Sequence, residues 1–234
     1  MNARLTATVL GAALMALGAA SPARAQFDEY ARPQGAMASP EWFAFELRVG
    51  PYQPDGDASF DAIFGSDDGL LLESELDVLL LRIPYVGFLG IGGTIGWAHY
   101  SAGALQVGTN ARAQEETTLT LIPMSLLGSL RIDVLARELG IPFAFVGKLG
   151  MSIIPWDAET GGHQDGSGVT FGLRWGAQLA LELDFFEPRT ARALDEEWGI
   201  NHSYLFVELF GSLADSPMPV GDHFTWVVGL GFTL

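Results

Sequence analysis

His99 and Ser101 are the residues of this chain whose types and spacing most directly offer catalysis. One residue separates them, so in a strand both side chains would lie on the same face. A histidine that accepts the proton of a serine hydroxyl makes that oxygen a nucleophile, and a carboxylate can orient the imidazole. Glu115 or its neighbour Glu116 could be that carboxylate. The pattern is compatible with an esterase, which we keep as an alternative to a protein without catalysis.

A larger set of charged residues occupies alternate positions of short apolar segments. Because successive side chains of a strand point to opposite faces, this set would gather on one face of a sheet. Charges that meet away from water must be paired, so the pattern predicts a network of ion pairs. Its members are Glu46, Arg48, Glu73, Glu75, Asp77, Arg131, Asp133, Lys148, Arg174, Glu182, Asp184 and Glu208.

Two other motifs fall short of a ligand site. The glycines of Gly90–Gly96 depart by one position from a dinucleotide fingerprint, and no helix follows them. Acidic residues crowd the stretches between the alternating segments, but their spacing matches no calcium-binding loop. We therefore predict no metal and no cofactor, and a solvated acidic surface instead. Its members are Asp55, Asp57, Asp61, Asp67, Asp68, Asp157, Glu159, Asp165, Asp215 and Asp222, with His163 and His223 nearby.

The segment Val169–Phe185 shows most clearly the element that would position these residues. Its odd positions are all apolar and its even positions are small or polar, and a period of two is that of a strand. Proline cannot donate to a ladder, so the fourth strand should bend or fray at Pro123. Seven further segments alternate and bring the total to eight strands: Glu41–Val49, Glu73–Leu81, Tyr85–Trp97, Thr117–Val134, Phe143–Ile154, Ser203–Leu213 and Phe224–Leu234.

The connections between these strands differ in length in a regular way. Short links follow strands 2 and 4, and the link after strand 6, Glu187–Asn201, has a helical pattern from Pro188 to Gly199. Long loops on one rim, short turns on the other and strands of about ten residues are typical of outer-membrane barrels. We expect an all-β, eight-stranded antiparallel transmembrane β-barrel with one short periplasmic helix between strands 6 and 7. The long loops are Gly50–Gly69, His99–Glu116, Pro155–Gly168 and Ala214–Asp222.

Aromatic residues indicate which face of the strands lies on the outside of the barrel. An eight-stranded barrel has room inside for side chains of modest size only. A secreted soluble barrel would have to enclose the whole aromatic set, so the apolar faces should meet lipid and the charged faces should close the lumen. A narrow conduit for small apolar ligands is a second alternative. The aromatic set comprises Phe43, Phe45, Trp97, Phe171, Trp175, Phe185, Trp226 and Phe232.

The N-terminal residues and the composition indicate the compartment. Arg4, the apolar run Leu5–Ala20 and the Ala23–Ala25 site form a signal peptide, predicted as residues 1–25. Residues 26–40 would then be a periplasmic segment and 41–234 the barrel, in the outer membrane with periplasmic termini. The chain has no cysteine and hence no disulfide. Its 28 acidic and 12 basic residues, with a net charge of −16, argue against nucleic acid as a partner.

The architecture resembles the small outer-membrane barrels of the OmpA and OmpX type. Several segments more closely resemble a group of uncharacterised myxobacterial outer-membrane barrel proteins, and this resemblance implies fold and location but no activity. The strand Phe224–Leu234 resembles the C-terminal signal read by the barrel-assembly machinery, although Leu234 stands where that signal usually has Phe. The segments are Leu121–Met124, Arg131–Asp133, Ile141–Phe143, Lys148–Gly150, Trp156, Ala193–Glu197 and Gly199–Phe206.

His99-Tyr100-Ser101 also resembles the His-x-Ser pair of lipid A deacylase barrels, although the Asn that usually follows is absent. This resemblance implies a lipid-facing esterase as the alternative function. The expected partners are outer-membrane lipids and lipopolysaccharide, together with the assembly machinery. The acidic loops could meet an extracellular ligand that the sequence does not identify.

Overall fold

The computed structural model of the protein describes residues 41–54, 60, 63–65, 69–105 and 112–234. The predicted signal peptide 1–25 and the segment 26–40 lie outside the described residues. So do five of the loop acids, namely Asp55, Asp57, Asp61, Asp67 and Asp68.

Within the described residues the chain is built from nine antiparallel strands. These are β1 (Phe43–Tyr52), β2 (Gly69–Ile83), β3 (Gly87–Leu105), β4 (Arg112–Leu121), β5 (Met124–Ile132), β6 (Phe143–Thr160), β7 (His163–Glu182), β8 (His202–Ser216) and β9 (Thr225–Thr233). Helix α1 (Val134–Glu138) follows β5, and a 3-10 turn (Leu183–Phe185) and helix α2 (Pro188–Trp198) follow β7. None of the described helices has the length and apolar character needed to cross a membrane.

The strands form one sheet that closes on itself. Consecutive strands pair, except β4 and β5, and β9 pairs with β1 to complete the ring. β4 and β5 lie end to end between β3 and β6, and each pairs with both of them. The nine described strands therefore fill eight positions around the ring. The break lies at Ile122 and Pro123, where proline has no N–H for the ladder. The predicted eight strands are therefore nine, because Thr117–Val134 is divided into β4 and β5.

The register of the sheet is staggered around the ring. Following the paired residues once around from Ala44 leads back to β1 near Pro54, about ten residues further along the chain. A stagger of this kind goes with strands that tilt by roughly 35–45° to the axis of a closed sheet. The tilt determines how far each strand extends along the axis of the closed sheet.

Two predicted long loops, Pro155–Gly168 and His99–Glu116, are largely strand, and a third, Ala214–Asp222, begins as strand. Pro155–Gly168 is a hairpin in which Thr160 pairs with His163 around a tight turn at Gly161 and Gly162. Both glycines have positive φ, which lets the chain reverse there without strain. β3 likewise continues to Leu105, and β8 continues to Ser216. The sequence did not reveal these extensions because neither face of the strands is consistently apolar there.

The other rim carries the short connections. Tyr85, with φ 61°, lies in the turn between β2 and β3, and α1 lies in the short link predicted after the fourth strand. β7 ends at Glu182, so Leu183–Phe185 is a 3-10 turn and not the end of the predicted strand. Helix α2 begins at Pro188 and ends before Gly199, whose left-handed conformation terminates it.

The two faces of the ring differ in chemistry. Large apolar side chains are exposed on the outward face of most strands; Leu149 and Leu126 retain 66% and 60% of their full exposure. Inward side chains include Glu75 and Glu208, which are at most 1% exposed. A soluble closed sheet would have the opposite distribution.

Candidate functional site

Lys148 lies at the centre of three carboxylates inside the ring. Its Nζ is 2.8 Å from a carboxylate oxygen of Glu46, 3.0 Å from one of Glu75 and 3.2 Å from one of Glu208. These three acids are close enough together to hold a metal ion. The ammonium group takes the position that such an ion would occupy.

Arg48 connects the carboxylate cup, formed by Glu46, Glu75 and Glu208, to the rest of the interior. Its guanidinium donates to Glu46 at 2.5 Å, to Glu208 at 2.9 Å and to Glu75. It also lies 3.5 Å from Glu73. These acids lie on β1, β2 and β8, so Arg48 ties three strands of the sheet together.

Arg174 forms the second centre of the network. Its two terminal nitrogens donate to the two oxygens of Glu73 at 2.6 and 2.7 Å, a bidentate pair across the interior. Its Nη1 is also 3.4 Å from the hydroxyls of Thr94 and Ser125. The guanidinium stacks over Phe210 at 4.3 Å from the ring centre.

Neutral side chains extend the network towards the short-connection rim. Gln178 and the hydroxyl of Tyr204 each donate to Glu46 Oε1 at 2.9 Å. Arg131 lies over the Tyr204 ring, 4.5 Å from its centre, and contacts Glu182 at 3.3 Å. The sequence assigned Gln178 and Tyr204 to polar faces, but alternation alone does not show which acid they contact.

Acidic groups outnumber basic ones in this interior. Seven acids and four bases are buried among the described inward residues: Glu46, Glu73, Glu75, Asp77, Asp133, Glu182 and Glu208, with Arg48, Arg131, Lys148 and Arg174. One carboxylate oxygen each of Glu75, Asp77 and Glu208 is buried without a hydrogen-bond partner. The interior therefore carries a formal excess of negative charge.

An apolar cluster fills the interior on the side of the long connections, and we call it the apolar plug. Phe60 enters from the connection between β1 and β2 and packs edge-on against Tyr100, with ring centres 5.2 Å apart. The Tyr52 hydroxyl donates to the carbonyl of Val220 at 2.9 Å. The alternation pattern did not predict the plug, whose buried members are Tyr52, Phe60, Leu71, Ala98, Tyr100, Leu119, Leu121, Ile154, Phe210, Ala214, Val220 and Val227.

A smaller group of charges joins four elements at the short-connection rim, beyond the apolar outward residues; we call it the rim latch. Arg137 of α1 donates to Glu41 at 2.7 Å and also to Asp133. His202 lies 3.6 Å from Glu41 through Nε2 and 2.6 Å from Asp184 through Nδ1. Asp184 thus belongs to this latch and lies outside the interior network in which it was predicted, because β7 ends two residues earlier.

The latch shifts the pKa values of its members. Burial would raise the pKa of Glu41, but its contact with His202 and the charge of Arg137 lower it to about 2. Burial would lower the pKa of His202, whereas its hydrogen bond to Asp184 and its contact with Glu41 raise it to about 9. The same hydrogen bond outweighs burial and lowers the pKa of Asp184. The pairs therefore hold their charges near neutral pH.

His99 and Ser101 lie on the outward face of β3, as their spacing requires. The Nδ1 atom of His99 is 3.0 Å from the hydroxyl of Thr120, the residue directly opposite it on β4. Glu115 lies five residues before Thr120 on β4, or about 16 Å from it at 3.3 Å per residue. The proposed third member of a catalytic triad is therefore out of reach, and Glu116 is only one residue closer.

Acidic side chains lie near the ends of the long hairpins. Asp157 accepts a hydrogen bond from Gln164 at 2.5 Å, and the exposed Asp215 contacts His223 at 2.9 Å. Both pairs are local, and within the described residues no group of three metal-ligating side chains forms at this rim.

Comparisons with known proteins give likenesses of fold at low identity. No family model and no curated protein matches the chain. Among solved structures, Neisserial surface protein A (NspA) is 10% identical, with a TM-score of 0.47 over 82% of this chain and 96% of that one. The N-terminal β-barrel domain of Pseudomonas aeruginosa OprF is 12% identical, with a TM-score of 0.44 over 83% and 98%. Ail, the attachment invasion locus protein of Yersinia pestis, is 14% identical, with a TM-score of 0.41 over 83% and 97%.

Proposed function

We propose that this chain is an integral outer-membrane β-barrel with a closed interior, which acts at the cell surface as a structural or binding protein without catalysis. The observation that carries the proposal is the reversal of the two faces. Charged residues are buried inside the ring, and large apolar residues are exposed around its outside. This distribution is favourable when the outer face of the ring contacts lipid.

The strands are long enough for this role. β7 has 20 residues, which extend about 65 Å at 3.3 Å per residue. With a tilt of roughly 40° such a strand rises by about 50 Å along the axis. The hydrocarbon layer of a bilayer is about 30 Å thick. The ends of β6 and β7 would then project beyond the membrane as a polar hairpin.

The orientation follows from the lengths of the connections. Outer-membrane barrels have short turns on the periplasmic side and longer segments outside. On this basis the rim latch and α2 lie in the periplasm. The hairpin that carries Asp157, Glu159 and Asp165 lies outside the cell and gives that surface a negative charge.

Two independent layers support a closed interior. The bidentate pair of Arg174 and Glu73 and the contacts of Arg48 cross the ring from strand to strand. The apolar plug fills the space on the outer side of these charges. An open channel would require both layers to be displaced.

A matched pair of substitutions in β7 tests the assignment of the faces. Leu179 faces outward and its neighbour Gln178 faces inward towards Glu46. Leu179→Arg should place a charge in lipid and cost roughly 2–4 kcal/mol of folding free energy near the bilayer centre. Gln178→Arg adds a positive charge to an interior with excess acid and should be tolerated better. The measurement is the fraction of chain that inserts into lipid vesicles, read from the mobility shift of folded barrels on unheated gels. Equal effects of the two variants would contradict the proposal.

A further inference from the structure

The first part of β7 has a neighbouring strand on one side only. β6 pairs with β7 from His163 onwards, beginning at the turn of the hairpin. On the other side, the pairing of β7 with β8 begins only at Phe171, opposite Ser216, and Pro217 follows Ser216. Proline has no N–H to donate to a ladder, and the pairing ends there. Among the described residues, no backbone group pairs with His163–Val169 on this side, and we call this segment the open edge.

The open edge is long enough and accessible enough to take another strand. It extends about 23 Å at 3.3 Å per residue, slightly more than an average strand. All of its residues except Gly166 and Gly168 are exposed. In a strand every second residue directs its N–H and its carbonyl to the same side, so the edge offers donors and acceptors in turn. It contains neither lysine nor proline, which commonly block such edges, and its one irregularity is Asp165, which the pairing with β6 skips.

The surroundings of the open edge are acidic. The hairpin 155–170 contains Asp157, Glu159 and Asp165 but no lysine or arginine. Glu159 and Asp165 are exposed. Asp157 accepts a hydrogen bond from Gln164, so these two side chains lie on one face of the hairpin. Opposite charges on neighbouring strands stabilise their pairing, and like charges oppose it. The hairpin therefore favours an added strand with basic side chains.

We propose that the open edge binds an extended segment of another protein, rich in lysine and arginine, which joins β7 as a further strand. Main-chain hydrogen bonds hold this segment, and its basic side chains contact the acids of the hairpin. The inference rests on the proposed function, because the orientation of the barrel places the hairpin outside the cell. The length of β7 places the open edge beyond the lipid.

A second copy of this chain is a poorer partner for the open edge. Two open edges side by side would bring Asp165 of each copy close to the acids of the other hairpin. Like charges on neighbouring strands destabilise their pairing. The net charge of −16 adds a general repulsion between copies. Charge therefore favours a basic segment over self-association.

The test measures whether a basic peptide protects the backbone of the open edge. The probe is a synthetic peptide of about ten residues, the length of a long strand, in which lysine alternates with threonine. The full-length chain is folded in uncharged detergent micelles, so that no lipid headgroup attracts the lysines. Hydrogen exchange is followed by NMR. With the peptide, every second N–H of His163–Val169 should exchange more slowly. A peptide in which glutamate alternates with threonine should bind more weakly.

Two charge reversals and a shortened hairpin provide matched variants. Asp165→Lys should weaken binding of the lysine peptide about three- to tenfold, as expected when an attractive cross-strand charge pair becomes a repulsive one. Glu196→Lys makes the same change of net charge on an exposed residue of α2, at the other rim, and should leave binding unchanged. The shortened hairpin lacks residues 157–160 and 163–167 and keeps two glycines as the turn between Trp156 and Gly168, which are paired. It should fold but lose the binding.

The outcomes separate this inference from the proposed function. Folding of each variant is checked by the gel mobility shift. Peptide binding that leaves exchange in the open edge unchanged would overturn the inference, because charge attraction alone would then explain the binding. Equal weakening by Asp165→Lys and Glu196→Lys would overturn it for the same reason. A native chain that binds no peptide, or that dimerises through the open edge without it, would overturn it too. A chain that does not insert into lipid vesicles would instead contradict the proposed function.

Discussion

Arg174 holds Glu73 through both terminal nitrogens of its guanidinium group, at 2.6 and 2.7 Å, across the interior from β7 to β2. Both side chains are almost completely buried. Two parallel charge-assisted hydrogen bonds fix their relative orientation as well as their distance. The pair therefore couples strands that are not neighbours in the sheet.

Removing one member of this pair should be much more harmful than removing both. Arg174→Met leaves Glu73 as a buried charge without its main partner and should cost about 3–5 kcal/mol of folding free energy. The double variant with Glu73→Leu removes both charges and should recover much of that loss. Urea unfolding in lipid vesicles measures the difference. Asp215→Asn, at an exposed ion pair, is the control and should change stability by less than about 1 kcal/mol. A double variant as unstable as Arg174→Met alone would contradict this account.

Replacing Lys148 should turn its carboxylate cup into a cation site. Lys148→Ala leaves Glu46, Glu75 and Glu208 with oxygens close enough to share one ion. Calcium prefers such oxygen ligands, and binding to the folded state alone stabilises it. The variant should be less stable than the native chain, and calcium should raise its unfolding midpoint while leaving that of the native chain unchanged. Adding Glu75→Gln removes one charge of the cup and should weaken the response. A variant that unfolds at the same urea concentration with calcium and with chelator would disprove the prediction.

The rim latch should stabilise the folded protein near neutral pH and lose this effect both at high and at low pH. The pKa of His202 is raised from 6.5 to about 9, so its contribution is complete below about 6.5 and is lost as pH rises through 9. The pKa of Glu41 is lowered from 4.5 to about 2, so its contribution is present above 4.5 and is lost as pH falls towards 2. The stability difference between the native chain and His202→Gln should thus be largest at mildly acidic pH and should vanish above 9. Unfolding midpoints across this range provide the measurement, and a difference independent of pH would count against the latch.

The apolar plug and the ion pairs should close the interior independently of each other. In planar bilayers the native chain should show no conductance steps of nanosiemens size. Phe60→Ala thins the plug beside Tyr100 but leaves Arg48 and Arg174 in place, so it should not open a channel. Large steady steps in the native chain would contradict the closed interior, and large steps in Phe60→Ala would show that the plug alone closes it.

Much of the fold could be predicted because alternation depends only on local spacing. A period of two assigns each residue of a strand to a face, whichever strands become its neighbours. This is why the antiparallel all-β class and the bend at Pro123 were accessible from the sequence. The extension of β6 and β7 to Gly161 was not accessible, because Asp157, Glu159 and Asp165 are typical of loops as well as of solvated strands.

The details of the interior depend on information that spacing does not contain. Lys148 contacts acids from three other strands, and the register of those strands is set by the whole ring. Phe60 enters the plug from a connection in which no periodicity marks it. His202 and Glu41 lie at the ends of separate strands, so only the closed sheet shows that they meet.

The pairing of Ala44 with Thr233 joins the first described strand to the last. Pairing two strands so far apart in the sequence is entropically unfavourable until most of the other strands have paired. The β1–β9 pairing should therefore be the last part of the sheet to form. Until β9 arrives, β1 and β8 are open edges whose free N–H and carbonyl groups could pair with another chain. Pairing of the nine residues of β9 with β1 and β8 thus removes the open edges through which the preceding strands could aggregate.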